Sequence, residues 1–291
     1  MTTWITENIG VITGAVNIGL IRHNGIYLVD TGIDNTAINK VIKQLNEPVG
    51  GAIITHHHAD HMGGLNKLES LGITQLYGPE KEIELITNPL IEPYSMFGGS
   101  FPPKKLRNRH LEAKPCKSIK PLHALTFGEI VNCPGHTIDH SAFLKDKILF
   151  SGDAAFTQET IEKYQLLFVI DPLTAIHSLE TLKQIDFEVM VPGHGPILES
   201  KKDAIDVLNS TLQHFKDIIE QAKAVIGKSL DLELFVPKMI NSLELNNIIE
   251  NRGIIQYYLY QVSIQGCLQA LMDEGFVDLQ FEQGKAKIIE S

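Results

Sequence analysis

Thr55-His56-His57-His58-Ala59-Asp60-His61-Met62-Gly63-Gly64 follows directly on the apolar run Gly51-Ala52-Ile53-Ile54. Four histidines and an aspartate fall between positions 56 and 61. A short apolar run that ends in a polar cluster reads as a buried strand delivering side chains to a site. In extended backbone His56 and His58 point to one side and His57 to the other. Asp60 and His61 come after the chain turns and can face a second position. Imidazole nitrogens and a carboxylate are ligands for zinc and neighbouring transition ions. The internal position, the interposed aspartate and the strand-like lead-in argue against an incidental His-rich loop. Gly63-Gly64 is expected to turn the backbone tightly against the site, into a helix.

Four further polar clusters flank this one. Leu28-Val29-Asp30-Thr31-Gly32 lies upstream; Pro134-Gly135-His136-Thr137, Ser151-Gly152-Asp153-Ala154 and Pro192-Gly193-His194-Gly195 lie downstream. The three downstream clusters each follow an apolar strand-like run: Glu129–Cys133, Lys147–Phe150 and Phe187–Val191. A rigid sheet is thereby expected to hold several loops in register.

The pattern H-x-H-x-D-H, with the other four clusters in order over residues 28 to 195, resembles the metallo-β-lactamase superfamily. The resemblance implies an α/β fold, an αββα sandwich of the metallo-β-lactamase type. It implies two divalent metal ions, zinc first and iron or manganese as alternatives. His56, His58 and His136 would hold one ion, and Asp60, His61 and His194 the other, with Asp153 bridging. Asp60 would also be catalytic, orienting the nucleophile, and Asp30 would support the loops without touching metal. Such a centre is net cationic and suits an oxyanion that develops during attack. Metal binding lowers the pKa of water from 15.7 toward about 7. The function implied is a metal-dependent hydrolase in which a hydroxide between the ions attacks a small ester, thioester or lactone. His57 and His140 are assigned structural or supporting roles; His23, His110, His123, His177 and His214 have no supporting spacing.

The chain has 291 residues, 43% hydrophobic and 21% charged, an ordinary composition for a globular protein. Its net charge of −10 opposes nonspecific attraction to a phosphate backbone. Cys116, Cys133 and Cys267 are few, odd in number and without framework spacing, so they are expected as reduced, buried thiols of a cytoplasmic protein. Cys133 is not expected to be a ligand, although it lies three residues before His136. The N-terminus has no basic stretch leading into an apolar one, and no run is long enough to span a membrane.

Outside the clusters, Asn35 or Thr36 is expected to cap a helix whose apolar stripe is Ile38, Val41, Ile42 and Leu45. A hairpin is expected across Lys145-Asp146, and helices at Leu173–Lys183 and from about Ile205 to Ile226, the last stopped by Gly227. Residues 88–115 carry Pro89, Pro93, Pro102, Pro103, Gly98 and Gly99, the aromatics Tyr94, Phe97 and Phe101, and the cations Lys104, Lys105, Arg107 and Arg109. A long segment of that kind inside a domain is a candidate lid.

The domain expectation is 1–227 for the catalytic unit and 228–291 for a C-terminal appendage. The appendage reads as a helix over Leu232–Ile240, a second capped by Ser263, and a hairpin from Val277 to Ile289. Helices followed by a β-hairpin resemble the winged-helix tails of some relatives. The stretch Ile264–Glu274 contains no Lys or Arg, which argues against a nucleic-acid recognition helix and for packing or dimerisation. The partners expected are a small-molecule substrate and, through the apolar tail, a second copy of the chain; neither nucleic acid nor membrane is expected.

Three other functions share these residues. A phosphodiesterase or nuclease would use the same site with the 104–109 cations. A mononuclear iron persulfide dioxygenase keeps H-x-H-x-D-H. A non-enzymatic binding module would leave the full ligand set without purpose. Against a glutathione thioester stand Ala154-Ala155-Phe156-Thr157-Gln158, where glyoxalase thioesterases have Gly-Cys-Gly-Arg, and a tail without a basic stretch.

Overall fold

Runs of Val, Ile and Leu that are apolar on both faces build two sheets covered on both sides, as such runs require. In the computed structural model, which describes residues 2–291, seven strands form the first sheet in chain order: β1 (Thr2–Trp4), β2 (Ile9–Ile12), β3 (Ile18–Arg22), β4 (Ile26–Val29), β5 (Val49–Ile53), β6 (Leu76–Gly78) and β7 (Ile119–Pro121). β1 to β4 pair antiparallel and β4 to β7 parallel. The second sheet has the order β11-β10-β9-β8, from β8 (Glu129–Asn132), β9 (Ser141–Lys145), β10 (Ile148–Gly152) and β11 (Val189–Pro192). A third, small sheet near the C-terminus joins β12 (Ser229–Asp231) and β13 (Val277–Glu282) to either side of β14 (Lys285–Glu290).

The helices are α1 (Asn35–Gln44), α2 (Ala59–Met62), α3 (Leu65–Ser70), α4 (Ile83–Thr87), α5 (Ile91–Met96), α6 (Gln158–Tyr164), α7 (Pro172–Gln184), α8 (Lys201–Ile226), α9 (Leu232–Ser242), α10 (Asn246–Arg252) and α11 (Ile254–Asp273).

Strand alternation sorts the apolar residues into layers. Ile9, Val11, Ile21, Val29 and Ile53 of the first sheet face Phe143, Ile148, Phe150 and Val191 of the second. Their neighbours Ile18, Leu20, Ile26, Leu28 and Ala52 pack outward on Ile38 and Val41 of α1 and on Met62, Leu65 and Leu68. On the far side, Ala142, Leu149 and Met190 pack on Leu179 and Leu182 of α7 and on Leu208, Leu212 and Phe215 of α8. The result is the expected αββα sandwich with a helical C-terminal region. The last turns of α8, through Ile218, Ile219, Ala222 and Ile226, join a further core with Phe235, Met239, Tyr260, Ile264 and Leu271. α8 thus belongs to both cores, and the C-terminal elements are packed on the sandwich rather than tethered to it.

Local expectations shift in three places. Asp34, not Asn35 or Thr36, caps α1: its Oδ1 accepts from the Thr36 and Ala37 amides at 2.8 and 2.9 Å. The β9–β10 hairpin turns at Asp146-Lys147, whose φ values of 49° and 63° suit the right-handed strand twist. Ser263 caps nothing. α11 begins at Ile254, after Gly253 with φ 80°, and Ser263 Oγ instead bonds the Leu259 carbonyl one turn back and accepts from the Val169 amide at 3.1 Å. The run Ile254–Tyr260 lengthens the helix because its apolar residues pack on residues 96–111 and 168, a partner remote in sequence.

Candidate metal centre

β5 runs into the site as a buried strand, and its end is tied to β4. Asp30, after β4, has φ 62°, a left-handed conformation that aspartate tolerates. Its Oδ1 accepts from the Thr55 amide at 2.9 Å, and its Oδ2 accepts from His61 Nδ1 at 2.7 Å. Asp30 therefore orients a neighbouring imidazole as well as the loop backbone. α2 then carries Asp60 and His61. Gly63 and Gly64 have ordinary right-handed helical angles, so the expected tight turn is not their role. A Cβ on Gly63 would overlap the Ile33 carbonyl oxygen, and one on Gly64 would lie 2.6 Å from that of Thr31. Close approach of α2 to the 30–33 turn is what excludes a side chain.

The loops after β5, β8, β10 and β11 bring all seven expected side chains together. Donor atoms of His56, His58 and His136 converge within 4.8 Å of one another, as do those of Asp60, His61 and His194. Asp153 lies between the two sets. Its Oδ1 is 3.4 Å from His61 Nε2, and its Oδ2 is 3.3 Å from His194 Nε2 and 3.8 Å from His136 Nε2. His56 also groups with His61 and Asp153, so the two sets share a wall. Asp60 and His194 form the open side, with side chains 35% and 26% exposed.

Each outer ring nitrogen of four histidines meets a fixed acceptor. His56 Nδ1 faces Thr55 Oγ1 at 3.0 Å, His61 Nδ1 faces Asp30, His136 Nδ1 faces the Phe168 carbonyl at 3.0 Å, and His194 Nδ1 faces the Ala15 carbonyl at 2.6 Å. These partners assign the proton to Nδ1 and aim each Nε2 inward, the arrangement by which outer partners orient metal-binding imidazoles. His56 Nε2 and His136 Nε2 then crowd His58 Nδ1 at 3.0 and 3.1 Å. Three ring nitrogens without enough protons to separate them form a ready seat for a cation. On the other side, His61 Nε2 and Asp153 Oδ1 are buried without a hydrogen-bond partner among the described residues. A donor set of imidazoles and carboxylates with orphaned inward atoms fits divalent transition ions.

The charge pattern agrees. Burial, with the neighbouring rings, holds His56 and His58 well below the ordinary histidine range, and burial holds His136 below it as well. Burial opposes charge on His61 and His194 too, but Asp153 and the other carboxylates outweigh it and raise them to about 10 and about 12. Against the burial that would raise them, those two rings hold Asp60 below and Asp153 well below their usual value. Metal-free, the carboxylates are thus balanced by protons on His61 and His194, which a divalent ion would displace.

The residues around this centre divide into those foreseen and those missed. His140 supports it: Nε2 accepts from the Asp153 amide at 3.0 Å, and Nδ1 meets Cys133 Sγ at 3.2 Å. Burial and His136 push His140 down to about 3, and burial pushes the Cys133 thiol up to about 12, so both stay neutral. His57 turns away, as alternation requires, onto Glu82 and Glu92. Neither glutamate was singled out in the sequence. Glu82 is fully buried and accepts from the His57 amide and ring at 2.7 and 2.8 Å, from Thr137 Oγ1 at 2.5 Å and from the Asp139 amide at 2.9 Å. It ties the loop of His58 to the loop of His136. Asn17 was also missed. Its amide nitrogen donates to the Pro192 and Gly195 carbonyls and clamps the His194 loop.

Gly193 packs against the centre: an added Cβ would overlap Asp153 Oδ1 and lie 2.8 Å from His61 Cε1. Gly193→Ala is expected to lower kcat/KM about a hundredfold by displacing Asp153, since misplacement of a reacting group by 1 Å has that scale. Steady-state kinetics beside an unchanged far-ultraviolet circular dichroism spectrum would check it.

A family model described as the metallo-beta-lactamase superfamily matches residues 11–194, more than half of the chain. The chain belongs to the metallo-β-lactamase superfamily. In this superfamily member the His/Asp cluster brings together groups that could hold metal ions. It is similar to the hydroxyacylglutathione hydrolase of Shewanella loihica, 32% identical over 174 residues, 58% of this chain and 56% of that one. The protein of the same name from Shewanella oneidensis is 29% identical over 238 residues, 75% and 77% of the two chains. The match thus spans little more than half the length of the first relative. Among solved structures, a beta-lactamase domain protein from Burkholderia ambifaria superposes with TM-score 0.70 at 19% identity, covering 100% of this chain and 93% of that one. A metallo-beta-lactamase family protein from Thermus thermophilus gives 0.68 at 19% identity, covering 100% and 97%. Both likenesses run through the C-terminal elements of this superfamily member.

Proposed function

We propose that the chain is a binuclear metal-dependent hydrolase of a small carbonyl ester, thioester or lactone, acting in the cytoplasm. The observation that carries this reading is the set of inward-facing ring nitrogens, those of His56, His61, His136 and His194 each backed by a fixed acceptor, around the shared carboxylate of Asp153. His56, His58 and His136 would hold one ion and Asp60, His61 and His194 the other, with Asp153 touching both; zinc is the first choice for such donors. When bound, the ions supply Lewis acidity and make water a nucleophile near neutral pH. Asp60, on the open side, accepts a hydrogen bond from the attacking water and orients it. Phe168, its ring 5.0 Å from His58 and 5.4 Å from His136, presents an apolar wall to the acyl group. Phe97, Ile255 and Tyr258 pack in the same apolar cluster as Phe168.

The relatives named hydroxyacylglutathione hydrolase support the thioester branch. The Ala154–Gln158 sequence and the tail without a basic stretch favour a thiol carrier other than glutathione. Two of the four cations at 104–109 are already engaged. Arg109 pairs with Asp34 at 3.0 Å, and Arg107 lies over Phe101 and 3.8 Å from Glu112. All three cysteines are unpaired and buried, and among the described residues no helix is long and apolar enough to cross a membrane.

The test is initial rates on a lactone, an acyl thioester and an activated phosphodiester, with protein of known metal content and Asp60→Asn as background. Carbonyl substrates are expected to be preferred at least about tenfold, a gap near 1.4 kcal/mol in barrier. Chelation is expected to abolish the activity and added zinc to restore it. A phosphodiester preference, or protein that takes up no metal, would overturn the reading.

A further inference from the structure

His58 is the exception among the clustered histidines. Its inward atom is Nδ1, and its outward Nε2 has no hydrogen-bond partner within range. The nearest carboxylate oxygen is Oε1 of Glu92, 3.8 Å away, while the other oxygen of that carboxylate accepts from His57 Nε2 at 2.9 Å. Glu92 is 9% exposed and sits on α5, within residues 88–115. The same helix ends in Met96, and Phe97 follows with its ring 5.6 Å from that of Tyr258 on α11. A buried carboxylate with one oxygen engaged and the other facing an unpartnered imidazole N–H is half of an acceptor pair.

We infer that Glu92 is a positioning residue for the metal ligand His58: Oε2 stays on His57, and Oε1 takes the Nε2–H of His58 when the centre is loaded. Five imidazoles would then each have a fixed outer acceptor: Thr55, Glu92, Asp30, the Phe168 carbonyl and the Ala15 carbonyl for His56, His58, His61, His136 and His194. Four of those acceptors come from the sandwich or its loops. The fifth comes from α5, so the placement of the 88–115 segment against α11 is coupled to one half of the centre and not to the other. The inference rests on the metal assignment above, and it concerns the site of His56, His58 and His136.

Glu92→Gln separates positioning from simple structural support. The glutamine oxygen can still accept from His57 Nε2, which preserves the link to α5. Its NH2 group then faces His58 and cannot accept. Metal-free wild type and Glu92→Gln would be titrated with cobalt(II) alone, reading the ligand-field absorption, and the dissociation constant of each equivalent would be measured against a competing chelator. Wild type is expected to take two equivalents. Glu92→Gln is expected to bind one of them roughly 10- to 100-fold more weakly, the usual cost of removing an outer partner of a metal ligand, with an altered cobalt spectrum and the other equivalent unchanged. The thermal midpoint of the metal-free variant is expected to fall somewhat, because a charge beside buried His57 is lost, while one of the two equivalents still binds as in wild type. Both equivalents bound as tightly as in wild type would overturn the role of Glu92. So would a uniform loss of both, which marks a structural role. Failure of the wild type itself to bind cobalt would instead overturn the metallohydrolase reading.

Discussion

Asp153→Asn is expected to reduce hydrolysis by roughly a thousandfold or more, beyond the 10²–10³ typical of losing one electrostatic contact to a transition state. The reason is its position. Its two oxygens lie within 3.8 Å of ring nitrogens of His61, His136 and His194, so one carboxylate serves both donor sets. The amide keeps the shape and removes the charge. It also brings an NH2 group toward atoms that are themselves donors or await a cation, which opposes metal uptake at both positions. Metal analysis of the purified variant is expected to show fewer than two equivalents, beside kcat/KM on the best carbonyl substrate. Because the Asp153 amide donates to His140 in either protein, the fold of the loop is expected to persist. A variant with two bound ions and near-normal rates would remove Asp153 from the centre.

Glu82→Ala is the change with the largest expected effect on stability. Glu82 receives four hydrogen bonds: two from His57, one from Thr137 and one from the Asp139 amide. Burial disfavours its charge, but His57, Thr137 and the Asp139 amide outweigh that and hold the carboxyl down to about 2. His57 is likewise raised to about 10, because Glu82 and Glu92 outweigh its burial. Removing one partner of a buried pair leaves the other uncompensated and costs about 3–5 kcal/mol. Urea unfolding of the metal-free protein should show that drop. The loops of His58 and His136 would also lose their common tie, so metal retention is expected to fall with stability. A loss below about 1 kcal/mol, the scale of a surface pair, would show that the network contributes little.

The two glutamates show where sequence reading stops. Pro79-Glu80-Lys81-Glu82 is a charged helix start with no local signal that Glu82 is buried, and Glu92 lies in a segment whose prolines and glycines suggest an excursion. What buries Glu82 is the 134–140 loop, more than fifty residues on. Phe168 and Asn17 were equally illegible. Their neighbours in sequence say nothing of His136 or of the His194 loop, which they meet only because separate strands end at the same edge of the sandwich. α11 began earlier than the Ser263 cap signal suggested, because packing on residues 96–111 stabilises the run from Ile254 to Tyr260.

The sequence by itself determined the layered fold and the identity of the clustered side chains. Strand alternation is a local property and a donor atom is a property of residue type, so the polar clusters at the strand ends were legible, and the resemblance to the metallo-β-lactamase superfamily joined His56, His58, Asp60, His61, His136, Asp153 and His194 into one set. Only the tertiary structure decided what holds each ring in place. The acceptor for His61 is Asp30, 31 positions away, and that for His194 is the carbonyl of Ala15, 179 positions away. Orientation at a metal centre depends on an outer partner, and that partner is chosen by which chain segments cross in space, a long-range outcome of packing two sheets face to face.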